Sequence, residues 1–87
     1  MDVRGAANEV AQLAINKSVY SNSLCDHPSL GITHIVEMNT TIQTDPTMSE
    51  TKICRWLGWM QAAVVAQGIA SLDDMKELSK KYADVPN

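Results

Sequence analysis

Phenylalanine is absent from this chain, whose aromatic content is two tryptophans and two tyrosines. No run of about eighteen apolar residues occurs, so no segment reads as a membrane span. Basic residues are few: seven Lys and Arg against ten Asp and Glu give a net charge of -3. That balance argues against a nucleic-acid partner, because neutralising phosphates takes clustered Lys and Arg. The acidic excess is too small for a mimic of DNA. Cysteine is scarce as well, with Cys25 and Cys54 in different segments. The opening "MDVRGAANEV" lacks a basic stretch followed by a long apolar run, so no signal peptide is expected, and the thiols read as reduced in a cytoplasmic setting. Glycines 5, 31, 58 and 68 are isolated, which leaves no glycine-rich loop to cradle a phosphate.

What is present is an ordinary globular balance, 45% apolar and 20% charged. The reading is a single helical domain over 1–87, with a core bundle over 27–84 and an N-terminal helix and loop over 1–22. A chain this short buries only ~60–65% of its unfolded surface, so a partner or second copy would help to cover its apolar residues.

Four helices can be drawn. Val3, Ala7, Val10, Ala14 and Lys17 recur at helical spacing in the first, which runs from about Asp2 to Tyr20. "SNSLCDHPS" then reads as a loop, and Pro28 fits the first turn of a second helix, where its missing N–H has no partner to lose. Ile32, Ile35, Val36 and Ile42 share a face of that helix, interrupted by Asn39, while the β-branched run Thr40-Thr41-Ile42 leaves a strand as the alternative. In "TDPTMSETK", Asp45 before Pro46 is an N-cap and N1 pairing, and Thr47 with Glu50 matches a capping box, so a third helix begins between 45 and 49. Gly68 ends it. Ser71 and Asp74 predict the start of the fourth, with Leu72, Met75, Leu78 and Tyr82 as its apolar stripe and Asp73, Glu77 and Lys81 as pairs on the other face.

The segment "RWLGWMQAAVVAQG" holds both tryptophans. Drawn as a helix over 49–67 it is apolar all round, with Ile53, Trp56, Leu57, Met60 and Val64 on one face and Trp59, Ala63 and Ala66 on another. Such a helix is expected to be the central, buried one. Gly58, Ala62 and Ala66 line up at four-residue intervals, a smooth stripe for close approach of another backbone, with Trp56 as the fourth packing residue. Trp56 is expected in the monomer core and Trp59 at its margin, with the Arg55 guanidinium on the Trp59 ring. The alternative places both tryptophans in the core.

No constellation carries chemistry. Cys25, His27 and His34 match no standard zinc spacing, and Cys54 would have to arrive from another helix. Cys54 reads as an inert thiol in a largely buried helix, and Asp73-Asp74 as a helix start, because adjacent helical side chains point apart. The expectation is therefore a protein without enzymatic activity, cofactor or metal. Lys52, Arg55, Gln61, Gln67 and Thr51 could line a polar groove beside Trp59, the alternative being a solvated helix face.

Arg55, Trp56, Leu57, Gly58, Gln61, Gly68, Ser71 and Leu72 lie in "DPTMSETKICRWLGWMQAAVVAQGIASLDDMKELSKKY", residues 45–82. This segment resembles a pattern in small proteins of tailed phages and prophages, in which Arg-Trp-Leu-Gly starts a helix followed by Gln, small residues, Gly and a Ser/Thr-capped second helix. Ala62 departs from the glycine often found there. The resemblance covers less than half the chain and implies origin rather than activity, since the pattern is a packing motif.

The fold class expected is all-α, a small antiparallel bundle of three to four helices: 28–43, 48–67 and 71–84 joined by short connections, with 3–20 across them. Leftover apolar surface on the first and third helices predicts a homodimer. The leading functional expectation is a phage-encoded accessory protein in the host cytoplasm that binds a host protein, as an inhibitor of a defence or by redirecting host machinery, with Arg55, Trp59, Lys52 and Gln61 as partner-binding residues. The alternatives are a sponge for a nucleotide defence signal and a virion assembly component.

Overall fold

A computed structural model describes residues 2–17 and 31–83. They form α1 (Val3–Lys17), α2 (Ile32–Thr44), α3 (Glu50–Ala66) and α4 (Leu72–Ala83), with no strand among the described residues. The all-α expectation is borne out. No helix among these residues is long and apolar enough to cross a membrane. Pro28, Cys25, His27 and the expected end of the first helix at Tyr20 lie outside the described residues.

The centre of the bundle is α1, contrary to the expectation that placed α3 there. α1 touches all three other helices, and Ala6, Ala7, Val10 and Ala14 are fully buried, with Ala11 nearly so. Alanine explains the position. A helix faced with methyl groups can lie close to several neighbours at once, and the larger side chains come from around it: Ile35 and Ile42 from α2, Ile53 and Met60 from α3, Leu78 from α4. α3, though apolar all round, buries only the face carrying Ile53, Leu57, Met60, Ala63 and Val64.

Polar contacts fix the directions. The Arg4 guanidinium donates to the Ile42 carbonyl and, at 3.0 Å, to that of Asp45. Asn39 Nδ2 donates to Asn8 Oδ1 at 3.2 Å, and Gln43 Nε2 to the Arg4 carbonyl at 2.7 Å. The start of α1 therefore meets the end of α2, and the two run antiparallel. At the other flank Asp2 N–H donates to the Tyr82 carbonyl at 3.1 Å and Lys17 Nζ to that of Ile69 at 3.3 Å. α4 is thus antiparallel to α1 as well. Gln61 Nε2 donates to Ser79 Oγ at 3.1 Å, which sets α3 antiparallel to α4.

The Thr40-Thr41-Ile42 run is helical. Thr40, Thr41 and Thr44 hydroxyls each donate to the carbonyl four residues back, and Ile42 is fully buried, so tertiary packing overrides the weak local preference. Met38 joins Ile35 and Ile42 in the buried face.

α3 starts later than the Asp45 and Thr47 signals predict. Its cap is Ser49, whose hydroxyl accepts from Lys52 N–H at 3.1 Å. Asp45 instead ends α2, donating its N–H to the Thr41 carbonyl, and its carboxylate accepts from the Thr47 N–H and hydroxyl. Met48 between them is buried, which needs chain length that an earlier helix start would remove. The far end of α3 follows expectation. Gly68 has φ 73°, its N–H donates to Val65 and that of Ile69 to Val64, the paired bonds of a Schellman ending with Ile69 buried behind it.

The α4 cap forms as read: Ser71 N–H donates to Asp74 Oδ2 at 2.9 Å and Asp74 N–H to Ser71 Oγ at 3.0 Å. Its stripe is narrower than expected, with Met75 and Leu78 buried, Tyr82 half-buried and Leu72 exposed. Lys81 leaves the expected pair with Glu77 for Glu9 of α1, at 2.6 Å, while Glu77 pairs with Lys80 at 3.5 Å.

Candidate functional site

Lys52, Arg55, Trp56 and Trp59 are spaced at three and four residues, so α3 presents them as one strip along the side that faces α2. Opposite stand His34 and Met38, one turn apart on α2. The six residues line a groove of about 570 Å³. The two indoles and the thioether make its apolar part, and Lys52, Arg55 and His34 its polar part. Lys52 Nζ lies 5.4 Å from the centre of the Trp56 ring, within cation–π reach. The His34 ring nitrogen Nδ1 is 4.0 Å from the Glu37 carboxylate, both groups partly exposed. On a chain of net charge -3, this is a local reversal of sign.

Three of the four residues expected to bind a partner, Lys52, Arg55 and Trp59, therefore meet at one place. Gln61 does not: it is bonded to Ser79 on the α4 side of α3. Gln67 is buried at the end of α3, and Thr51 is exposed. Trp56 packs against the core with one side and lines the groove with the other, while Trp59 is 45% exposed. Trp59 lies at the margin as expected, whereas Trp56 is only half-buried against the core rather than within it. His34 and Met38 are the contributors the sequence reading missed in this role. Their four-residue spacing was a visible signal, but only the docking of α2 beside α3 gives it meaning.

The opposite flank of α3 overturns a second expectation. Gly58, Ala62 and Ala66 do not press against another helix of the same chain; all three are exposed, and a Cβ built on Gly58 would have nothing within 4 Å. With Gln61, Val65, Leu72 and Met75 they line a shallow apolar groove of about 470 Å³ between α3 and α4. Leu72 is 62% exposed at its edge. A glycine in a helix interior costs ~1 kcal/mol relative to alanine, and nothing among the described residues accounts for it.

Cys54 is exposed rather than buried, because it falls on the solvent side of α3 once α1 takes the centre. Among the described residues no group of three or more His, Cys, Asp or Glu is placed to hold a metal ion. None of the perturbed ionisations belongs to a residue lining either groove. Donation by Lys81 holds the Glu9 carboxyl below its ordinary range, helped by Tyr82 and opposed by partial burial. The Thr47 hydroxyl and N–H do the same for Asp45, and the Ser71 cap does so for Asp74.

No family model matches the chain, and neither a curated protein nor a solved structure is found similar to it.

Proposed function

We propose that this chain is a non-enzymatic accessory protein of tailed-phage or prophage origin that binds a host protein in the host cytoplasm, and that the groove between α2 and α3 is the binding surface. The single observation carrying this reading is the meeting of Trp56, Trp59 and Met38 with Lys52, Arg55 and His34 in one open groove. Exposed tryptophan and arginine are the residue types that dominate protein interfaces, because each combines large contact area with directed polar contact. The cationic side chains select a partner segment with acidic side chains around an apolar anchor. The Arg-Trp-Leu-Gly resemblance supplies the phage origin, and inhibition of a host defence is the role that fits a small binding protein of that origin.

The test is affinity capture from a bacterial host lysate, comparing the native chain with Arg55→Glu and Trp59→Ala. The native chain retains a host protein in stoichiometric amount and both variants lose it. Absence of any stoichiometric host protein on the native chain overturns the reading, and recovery with virus particles instead assigns the protein to assembly.

A second reading, a sponge for a nucleotide signal, is favoured by the placement of Lys52 and Arg55 beside an indole face, where phosphates and a base could be held together. A saturating nucleotide would then raise the melting temperature by mass action. No shift across a nucleotide panel removes this reading.

A further inference from the structure

We propose that the partner segment held between α2 and α3 is an acidic amphipathic helix, which lowers one apolar stripe onto Met38, Trp56 and Trp59 and sets a carboxylate on Arg55. This inference rests on the groove reading above and adds the conformation and charge of what the groove receives.

The walls decide the conformation. Arg55, Trp56 and Trp59 lie inside α3 and Met38 inside α2, where main-chain groups bond along their own helix. The N–H of Lys52, in a first turn, is taken by the Ser49 hydroxyl. What main-chain groups remain on offer are at most the first-turn N–H groups of α2, at His34. No strand edge stands among the described residues for a guest strand to join. An extended guest would therefore cover its own N–H and C=O groups against walls that cannot pair with them in a ladder. A helical guest arrives with those groups already bonded and presents side chains alone.

Dimensions agree. Lys52 and Trp59 are seven positions apart, ~10.5 Å along α3, which matches two turns of a helix laid alongside. A groove of about 570 Å³ takes side chains, while a whole helix, ~10–12 Å across, lies over it. Met38 belongs to the buried core and Trp56 packs against it, so an apolar anchor seated on them extends that core outward. A second apolar side chain, one turn along the guest, covers Trp59, which is 45% exposed.

Charge names the rest of the guest. Glu37, Asp45 and Glu50 flank the groove residues in sequence, and none of them lines the groove. Glu37 lies 4.0 Å from His34 Nδ1. Asp45, near enough to Lys52 to feel its charge, accepts from the Thr47 hydroxyl and N–H. Glu50 opens α3 but stands ~200° round that helix from Lys52. Arg55 is exposed and has no ion pair or hydrogen bond among the described residues. Its fork is open to a carboxylate of the guest, a two-point contact that arginine makes and lysine does not.

The experiment titrates the full chain with synthetic peptides of ~16 residues, long enough to hold a helix in water, and reads tryptophan fluorescence and calorimetric heat. The lead peptide is built of Ala, Gln and Glu with a pair of leucines four positions apart. One control carries the leucines two positions apart, which share a face only in an extended chain. A second has Lys for every Glu, and a third is acidic and proline-rich. The lead peptide saturates the native chain, and each control binds at least about tenfold more weakly. Arg55→Glu weakens the lead peptide by at least about tenfold and tightens the lysine peptide, the sign reversal that a specific charge contact requires. Absence of saturable binding by the lead peptide overturns the proposal, as does equal or tighter binding of any control, or indifference to Arg55→Glu. Failing peptides beside host-protein capture that Trp59→Ala abolishes overturn this inference and leave the groove reading standing. Lead-peptide binding where no host protein is captured supports the helix receptor and removes the host-protein reading.

Discussion

Arg4, near the start of α1, closes the end of α2 at Asp45: its guanidinium donates to the Asp45 carbonyl at 3.0 Å and to the Ile42 carbonyl beside it. α2 has no basic residue in its own last turn, so the cation that its dipole and orphan carbonyls call for comes from another helix. Arg4→Ala is expected to lower stability by ~2 kcal/mol, since it removes two charge-assisted bonds at a half-buried site. Arg4→Lys should recover only part of that, because one ammonium cannot fork across both carbonyls in the same way. Denaturant melts of the two variants read the difference.

Alanine positions in α1 should tolerate no growth. Ala7→Leu or Ala11→Leu inserts methylenes where three helices converge, and a loss of ~1–3 kcal/mol or more is expected. Gly58→Ala tests the opposite environment. Its new methyl enters open space, so stability measured on dilute protein should rise by up to ~1 kcal/mol from helix propensity alone. Thermal melts of the pair give opposite signs.

The two tryptophans should separate in the same assay. Trp56→Ala removes a ring packed against the core and is expected to cost ~2–3 kcal/mol. Trp59→Ala should cost well under half of that in dilute solution. Acrylamide quenching of Trp56→Phe, in which only Trp59 emits, should be markedly stronger than that of Trp59→Phe.

Acid should weaken the fold through three carboxyls. Glu9, Asp45 and Asp74 are each held below their ordinary ionisation range by hydrogen bonds that the unfolded chain lacks. In that window the unfolded chain binds more protons than the folded one, so stability is present above about pH 4 and is lost as pH falls through the folded values. Ser71→Ala removes the leading cause of the Asp74 shift that a side chain can supply, and should flatten the acid slope measured by pH-dependent melts.

Alkali acts on the other side of the same cluster. Bonding to Glu9 raises the Lys81 ammonium, while burial and then Glu9 raise the Tyr82 phenol. Groups raised on folding contribute below their unfolded values and lose that contribution as pH climbs through the folded ones, so stability should decline above about pH 10. Glu9→Gln should move both ends of the profile while costing less than about 1 kcal/mol at neutral pH, as the pair is largely exposed.

Legibility in the sequence followed how local each signal was. The Ser71–Asp74 box and the Gly68 ending were read correctly because each is settled within a few residues. The start of α3 is less local: Ser49, at the edge of the expected 45–49 window, takes the cap in place of Asp45 or Thr47 because Met48 buries its side chain, a tertiary matter. The central helix was misassigned for a related reason. All-round apolarity in 53–66 reports what a helix could bury, and the alanines of α1 report how near neighbours can come, which hydrophobicity underrates. Lys81 was given an intrahelical partner because Glu9, 72 positions away in the chain, is invisible to any window. Of the groove, the α3 strip was visible in its three- and four-residue spacing, but His34 and Met38 become part of it only through docking of α2.

The alanine-faced first helix has a kinetic corollary. Its methyl groups gain a core only when α2, α3 and α4 stand around it, and Glu9 and Tyr82 join ends of the sequence 73 positions apart. The chain should therefore cross its barrier in one cooperative event, more slowly than a bundle whose contacts join only neighbouring helices.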